Sequence, residues 1–122
     1  MLDHLGIQVA DPEAAASFYD AVLGALGHRR MLQYGPVIGY GSEEPAFWIS
    51  PAEIEGPARE SHIAFTAADR AAVDAFFAAA VESGAEILHE PRVWPEYHEH
   101  YYGAFVRDPD GNNVEAVSHV PA

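Results

Sequence analysis

His4–Asp11 reads HLGIQVAD and His62–Asp69 reads HIAFTAAD. At a constant offset of 58, without a gap, His4 falls on His62, Ile7 on Phe65, Asp11 on Asp69, Phe18 on Phe76 and Tyr19 on Phe77. A self-similarity of this kind marks two copies of one supersecondary unit. Duplicating a strand-plus-helix unit sets two equivalent strands about a pseudo-twofold axis, so the two leading histidines are expected to meet in one cleft.

Within the first copy, Leu5, Ile7 and Val9 alternate with His4, Gly6 and Gln8, the period-2 pattern of a half-buried strand. Asp11 then offers a helix N-cap and Pro12 the first helical position, where a missing N–H costs nothing. Ala15, Phe18, Val22 and Leu26 form an apolar stripe, and Gly27 is a natural stop. The second copy repeats this with a strand at 62–67, Asp69 as cap, a stripe of Val73, Phe76, Phe77, Ala80 and Val81, and Gly84 near the end. Short strands follow each helix, at 28–33, 37–40 and 46–50, and at 85–89, 101–107 and 112–119. DPDGNN (Asp108–Asn113) supplies the last turn. Each half therefore reads β-α-β-β-β. The expected fold is α+β: one domain over 1–122, with module one at 1–50, a linker at 51–60 and module two at 61–122. The paired βαβββ modules would form a curved mixed sheet with an open metal and substrate cleft, helices outside.

The 122 residues carry 6 basic against 19 acidic side chains, a net charge of −13. Such a field repels phosphate backbones, which argues against nucleic acid as partner. No segment approaches the ~18 apolar residues of a membrane span. No basic region followed by an apolar stretch opens the chain, so the expectation is a cytoplasmic protein without membrane contact. Cysteine is absent, which excludes disulfides and thiolate metal ligands.

The chemistry concentrates on three strands. His4 and His62 lead equivalent strands, and their neighbours Gly6 and Ala64 are small enough to leave the face around them open. Glu115 lies between Val114 and Ala116, which puts it on the face away from the helix-packed core. A lone strand histidine is usually a surface or hydrogen-bonded residue. Two at matched positions, with an acid where an inward charge is otherwise costly, point to a divalent metal held by His4, His62 and Glu115. Fe, Mn, Ni and Zn all accept such donors.

HLGIQVADPEAAASFYDAVLG (His4–Gly24), SHIAFTAADRAAVDAFFAAA (Ser61–Ala80) and AFVRDPDGNNVEAV (Ala104–Val117) together resemble the vicinal oxygen chelate superfamily of glyoxalase I, extradiol dioxygenases and bleomycin-resistance proteins. The resemblance implies paired βαβββ modules, a homodimer, a metal at the open face of the sheet, and a substrate that chelates it through adjacent oxygens. His4 and His62 match the first-strand ligands, and Glu115 the last-strand carboxylate of module two. The fourth ligand of glyoxalase I is an acid in the last strand of module one, where aligning AFWIS (Ala46–Ser50) with NVEAV (Asn113–Val117) puts Trp48. Tryptophan cannot ligate a metal. The remaining two histidines and one glutamate resemble the triad of extradiol dioxygenases.

WPEYHEHYY (Trp94–Tyr102) holds four aromatics and two histidines. His98 and His100, two apart, would share one strand face, lining the cleft or serving as acid/base groups together with Tyr97 and Tyr101; the alternative is a loop whose aromatics cap the sheet edge. Tyr40, Phe47, Trp48 and Tyr102 are expected to line a pocket suited to a hydrophobic or aromatic substrate. A metal-dependent lyase, isomerase or dioxygenase acting on a small molecule is the leading expectation. The alternative is a non-catalytic small-molecule binding or sequestering protein of the bleomycin-resistance type.

Overall fold

The computed structural model describes residues 1–57 and 59–122. Helix α1 (Pro12–Ala25) begins where Asp11 accepts the N–H groups of Glu13 and Ala14 at 3.1 and 3.3 Å, with Pro12 in its first turn. It ends at Gly27, whose φ of 90° lies in the left-handed region that favours glycine. Helix α2 (Arg70–Glu82) repeats the arrangement, with Asp69 accepting from the N–H of Ala72 at 2.8 Å.

The strands are β1 (Leu5–Val9), β2 (Arg29–Tyr34), β3 (Val37–Gly41), β4 (Pro45–Pro51), β5 (His62–Thr66), β6 (Ile87–Val93), β7 (Tyr102–Arg107) and β8 (Asn113–Ser118). They form two four-stranded sheets of identical topology, β1-β4-β3-β2 and β5-β8-β7-β6. In each sheet the strand before the helix pairs in parallel with the last strand, and the other ladders are antiparallel. The βαβββ repeat is thus the unit of architecture, and β1 and β5 are both edge strands.

Each helix packs on its own sheet and the two helices pack on each other. One apolar cluster runs through both modules. It draws Tyr19, Val22 and Leu23 from α1, Val73 and Phe76 from α2, Ile49 from β4 and Val114 from β8. The modules keep separate sheets and join through the helices and a Phe47–Phe65 edge-to-face contact at 5.1 Å. Period 2 then sends alternate residues to the open faces: Gly6 and Trp48 in the first sheet, Ala64 and Glu115 in the second.

The turn DPDGN ties the halves together. Asp108, 5% exposed, accepts the hydroxyl of Tyr19 at 2.7 Å, the amide side chain of Asn112, and the backbone N–H groups of Asp110 and Asn112. Asn112 in turn accepts from the N–H of Ser61, and Asp110 from that of Ala10. A turn in module two therefore holds α1, the end of β1 and the start of β5.

Two local expectations need correction. The strand expected at 85–89 runs on to Val93, because Pro91 sits on an edge strand among register shifts, where a missing N–H is tolerated. The strand face expected for His98 and His100 gives way to the alternative, a loop: residues 95–100 are turns closed by Tyr97 N–H to Trp94 O and Tyr101 N–H to His98 O. Pro95 cannot continue a ladder, so β6 stops and the chain folds back until Trp94 N–H meets Tyr101 O at 2.8 Å.

Candidate functional site

Glu115 sits on the open face of the second sheet, in register between Ala64 on β5 and Phe105 on β7. It is nevertheless 1% exposed. The turns at 94–101 form a flap over that face. Trp94 donates its indole N–H to Gly103 O at 3.0 Å and packs edge-on against Phe105. The Arg92 guanidinium caps the same indole, 3.3 Å from its centroid. Tyr97 and Tyr101 continue the aromatic cover with ring centroids 4.8 Å apart.

Two side chains meet the buried carboxylate. His62 brings Nε2 within 3.0 Å of Oε1, and the Tyr101 hydroxyl donates to Oε2. Burial first, then the hydrogen bond and charge of Glu115, push the Tyr101 phenol well above its ordinary pKa, so it holds its proton. The Gly103 position explains how the carboxylate fits: a Cβ there would come within 3.2 Å of Oε2.

The hydrogen bonding of His62 decides which of its nitrogens faces the carboxylate with a lone pair. Nδ1 lies 3.2 Å from the carbonyl of Asn113. A carbonyl only accepts, so Nδ1 carries the proton. In the neutral ring, Nε2 then turns a lone pair towards a carboxylate oxygen. That arrangement calls for a positive charge between the two atoms, either a proton or a metal ion. An imidazole whose other N–H is fixed by a backbone carbonyl is also the usual state of a metal-bound histidine. His62 and Glu115 thus supply two donors of the kind a divalent cation takes, and a proton shared between them meets the same demand.

His4 immediately precedes β1 at the free edge of the first sheet, with Nδ1 2.6 Å from the Asp3 carboxylate. It does not join His62 and Glu115: among the described residues no group of three or more His, Asp or Glu side chains gathers closely enough to hold a metal. The geometric counterpart of Glu115 is Trp48, in register between Gly6 and Gly39 as Glu115 is between Ala64 and Phe105. Its indole lies on Gly39, where a Cβ would fall 2.8 Å from three ring atoms, and parallels Tyr34 within 9° at 6.4 Å.

The pattern of the Glyoxalase/Bleomycin resistance protein/Dioxygenase superfamily matches residues 1–116. The chain belongs to this superfamily. A glyoxalase/bleomycin resistance protein from Albidiferax ferrireducens T118 is 32% identical, with 97% of this chain and 98% of that one covered at a TM-score of 0.85. A lactoylglutathione lyase from Agrobacterium tumefaciens (21% identity, 97% and 92% covered) and a fosfomycin resistance protein from Mesorhizobium loti (18%, 98% and 92%) both reach a TM-score of 0.71. These last two likenesses bear on the fold alone. None of the curated proteins matches this sequence.

On this superfamily scaffold the remaining expected residues scatter. Tyr40 and Phe47 lie in the core beneath α1 and line a small apolar cleft with Leu5, Ile63 and Phe65; the Tyr40 hydroxyl donates to Asp20 at 2.8 Å. Tyr102 points to the helix side, donating to Asp74 on α2 at 2.7 Å. His98 meets His119, Nε2 to Nδ1 at 2.8 Å, whereas His100 pairs with Glu99 at 3.4 Å. Sequence reasoning passed over Tyr34, Phe105, Asp108 and His119. For His119 a signal existed, since period 2 places Glu115, Val117 and His119 on one strand face. No helix among the described residues is long and apolar enough to cross a membrane.

Proposed function

We propose that the protein is a metal-dependent enzyme of the glyoxalase or dioxygenase type, working as a homodimer on a small substrate with adjacent oxygen donors. The observation that carries this reading is the His62 Nε2–Glu115 Oε1 approach of 3.0 Å, with Nδ1 already committed to Asn113 O. His62 and Glu115 would hold a divalent Fe, Mn, Ni or Zn ion, and His4 of the partner subunit would complete the set. The free edges of β1 and β5, which bring His4 and His62 to the rims of their sheets, favour completion between subunits. When bound, the metal supplies Lewis acidity that polarises a substrate oxygen.

The chain's own side chains have separate tasks. Glu115 gives negative charge from a site that Trp94, Tyr101 and Phe105 keep dry. Tyr101 holds a proton at its hydroxyl and donates it in a hydrogen bond to Oε2, so it serves as donor rather than base. Tyr97 lines the outer flap. A second reading, sequestration of an aromatic small molecule without chemistry, is favoured by Trp48 in the counterpart position of Glu115, its indole parallel to Tyr34.

Elemental analysis with subunit complementation separates the readings. The expected result is about one metal per chain in the wild type, lost in His62→Ala, Glu115→Gln and His4→Ala. Mixing His4→Ala with His62→Ala protomers should restore metal to one site per heterodimer, because the other site then carries both defects. Wild type that takes up none of the four ions would leave sequestration as the function. Recovery of no metal in the mixture would place all ligands within one chain.

A further inference from the structure

We propose that the His98–His119 pair is a latch that holds the aromatic flap closed over Glu115, with His119 as a positioning residue that governs access to the buried carboxylate. The flap has a fixed end and a releasable end. At the fixed end Trp94 is held by its indole N–H to Gly103 O at 3.0 Å, by its backbone N–H to Tyr101 O, and by Arg92 over its ring. At the other end the ties to the sheet are the Tyr101 hydroxyl on Glu115 and the bond from His98 to His119, one residue beyond β8.

Neighbouring groups settle the proton positions. His98 Nδ1 accepts the backbone N–H of His100 at 3.1 Å, so the ring proton of the neutral imidazole is on Nε2. Nε2 then donates to Nδ1 of His119 across 2.8 Å. Because both His98 nitrogens are occupied in this way, the pair is a hydrogen-bonded clasp and not a bis-imidazole metal site. Both rings also stand edge-on to Tyr101, at 5.5 Å and 73° for His98 and 5.3 Å and 84° for His119. The clasp therefore fixes the ring whose hydroxyl reaches Glu115.

Closure matters because Oε1 of Glu115 is covered by His62 and Oε2 by Tyr101. A cation that engages both carboxylate oxygens must displace the Tyr101 hydroxyl from Oε2, and that requires the flap to lift. The latch deepens the proposed function, on which only its metal readout rests.

The test is native-state amide exchange at Tyr97 and Tyr101, whose N–H groups bond to Trp94 O and His98 O within the flap, with the fixed-end Trp94 amide as an internal reference. His119→Ala and His98→Ala should each speed this exchange about five-fold, the equivalent of one ordinary hydrogen bond, leaving the β8 amides unchanged. His119→Asn should behave as wild type, because its side-chain oxygen stands where Nδ1 accepts. The double alanine variant should exchange no faster than either single one. Uptake of cobalt(II) by the metal-free protein should quicken by the same factor in His119→Ala. Unchanged exchange in His119→Ala, or an asparagine variant as loose as the alanine one, would overturn the latch. Cobalt that fails to bind any variant would count against the metal reading, and amide exchange would still decide the latch.

Discussion

Replacing Tyr19 by Phe removes one oxygen from the contact that spans the two modules. The Tyr19 hydroxyl, fully buried on α1, donates to Asp108 Oδ2 at 2.7 Å. Burial and the neighbouring Asp108 push its pKa well above the ordinary value, so the phenol is a permanent donor. A hydrogen bond to a charged group contributes about 1.5–3 kcal/mol. Phe keeps the ring volume, so the cavity contribution is small. Asp108 Oδ2 also retains the Asn112 side chain at 2.9 Å, so the carboxylate is not orphaned and the low end applies, about 1.5–2 kcal/mol. For 122 residues the unfolding entropy near 60 °C is about 0.26 kcal/mol/K, which converts that loss to a fall in Tm of roughly 6–8 °C. Urea denaturation and calorimetry of Tyr19→Phe, Asp108→Asn and the double variant form the assay. The two substitutions break the same contact, so their effects should fall short of additivity by at least about 1 kcal/mol. A loss below about 0.5 kcal/mol for Tyr19→Phe, or strict additivity, would refute the reading of this turn as the staple between modules.

Three further outcomes follow from particular contacts. Gly39→Ala places a Cβ 2.8 Å from three atoms of the Trp48 indole, so the ring must lift off the sheet at a cost of about 1 kcal/mol. Trp48 emission should shift to the red, and an unshifted spectrum would mean that the indole does not rest on Gly39. Burial first, then the hydrogen bond to Asp74, pushes the Tyr102 phenol up to about 12 from 10.0. Between those two values the unfolded chain sheds a proton that the native state keeps, so this stabilisation is complete below pH 10 and is lost as pH rises towards 12. Denaturation midpoints across the window should fall less steeply in Tyr102→Phe, and an equal slope would sink the assignment. Asp11→Ala removes the acceptor for two N–H groups of α1 and should lower stability by about 1 kcal/mol, read from its urea midpoint.

Reading the sequence succeeded where a local rule coincides with the tertiary outcome. Asp11 and Asp69 cap their helices because an N-cap needs only its own next three residues. The side of the sheet on which Glu115 lies follows from Val114 and Ala116 packing inwards, and period 2 cannot be evaded within a ladder. The burial of Glu115 was not legible, because it comes from a flap whose turns depend on Pro95 and on contacts made across the sheet to Gly103 and His119. The same gap misplaced His98 and His100 on a common strand face. Tyr40, Phe47 and Tyr102 share aromatic character with Trp48, and composition alone does not separate a ring under α1 from a ring on the open face. Strand phase does, once Trp48 is paired with Gly6.

The two modules have diverged at the one layer where their backbones match best. In module one the layer reads Gly6, Trp48, Gly39; in module two it reads Ala64, Glu115, Phe105. Module one joins β2 to β3 through a tight Gly35-Pro36 turn, leaving Tyr34 63% exposed beside Trp48. Module two spends residues 94–101 between β6 and β7, and that insertion makes its carboxylate dry. A buried carboxylate is costly unless it is met, and here His62 and the Tyr101 hydroxyl from the insertion meet it, so the insertion and Glu115 belong together and carry the proposed cation site. An open indole on a glycine floor has no such demand and suits a ligand's flat apolar surface. The duplication thus supplied two equivalent histidines. Divergence at Trp48 and Glu115 then left an indole on the open face of one module and a buried carboxylate on that of the other, the asymmetry on which the proposed homodimeric site rests.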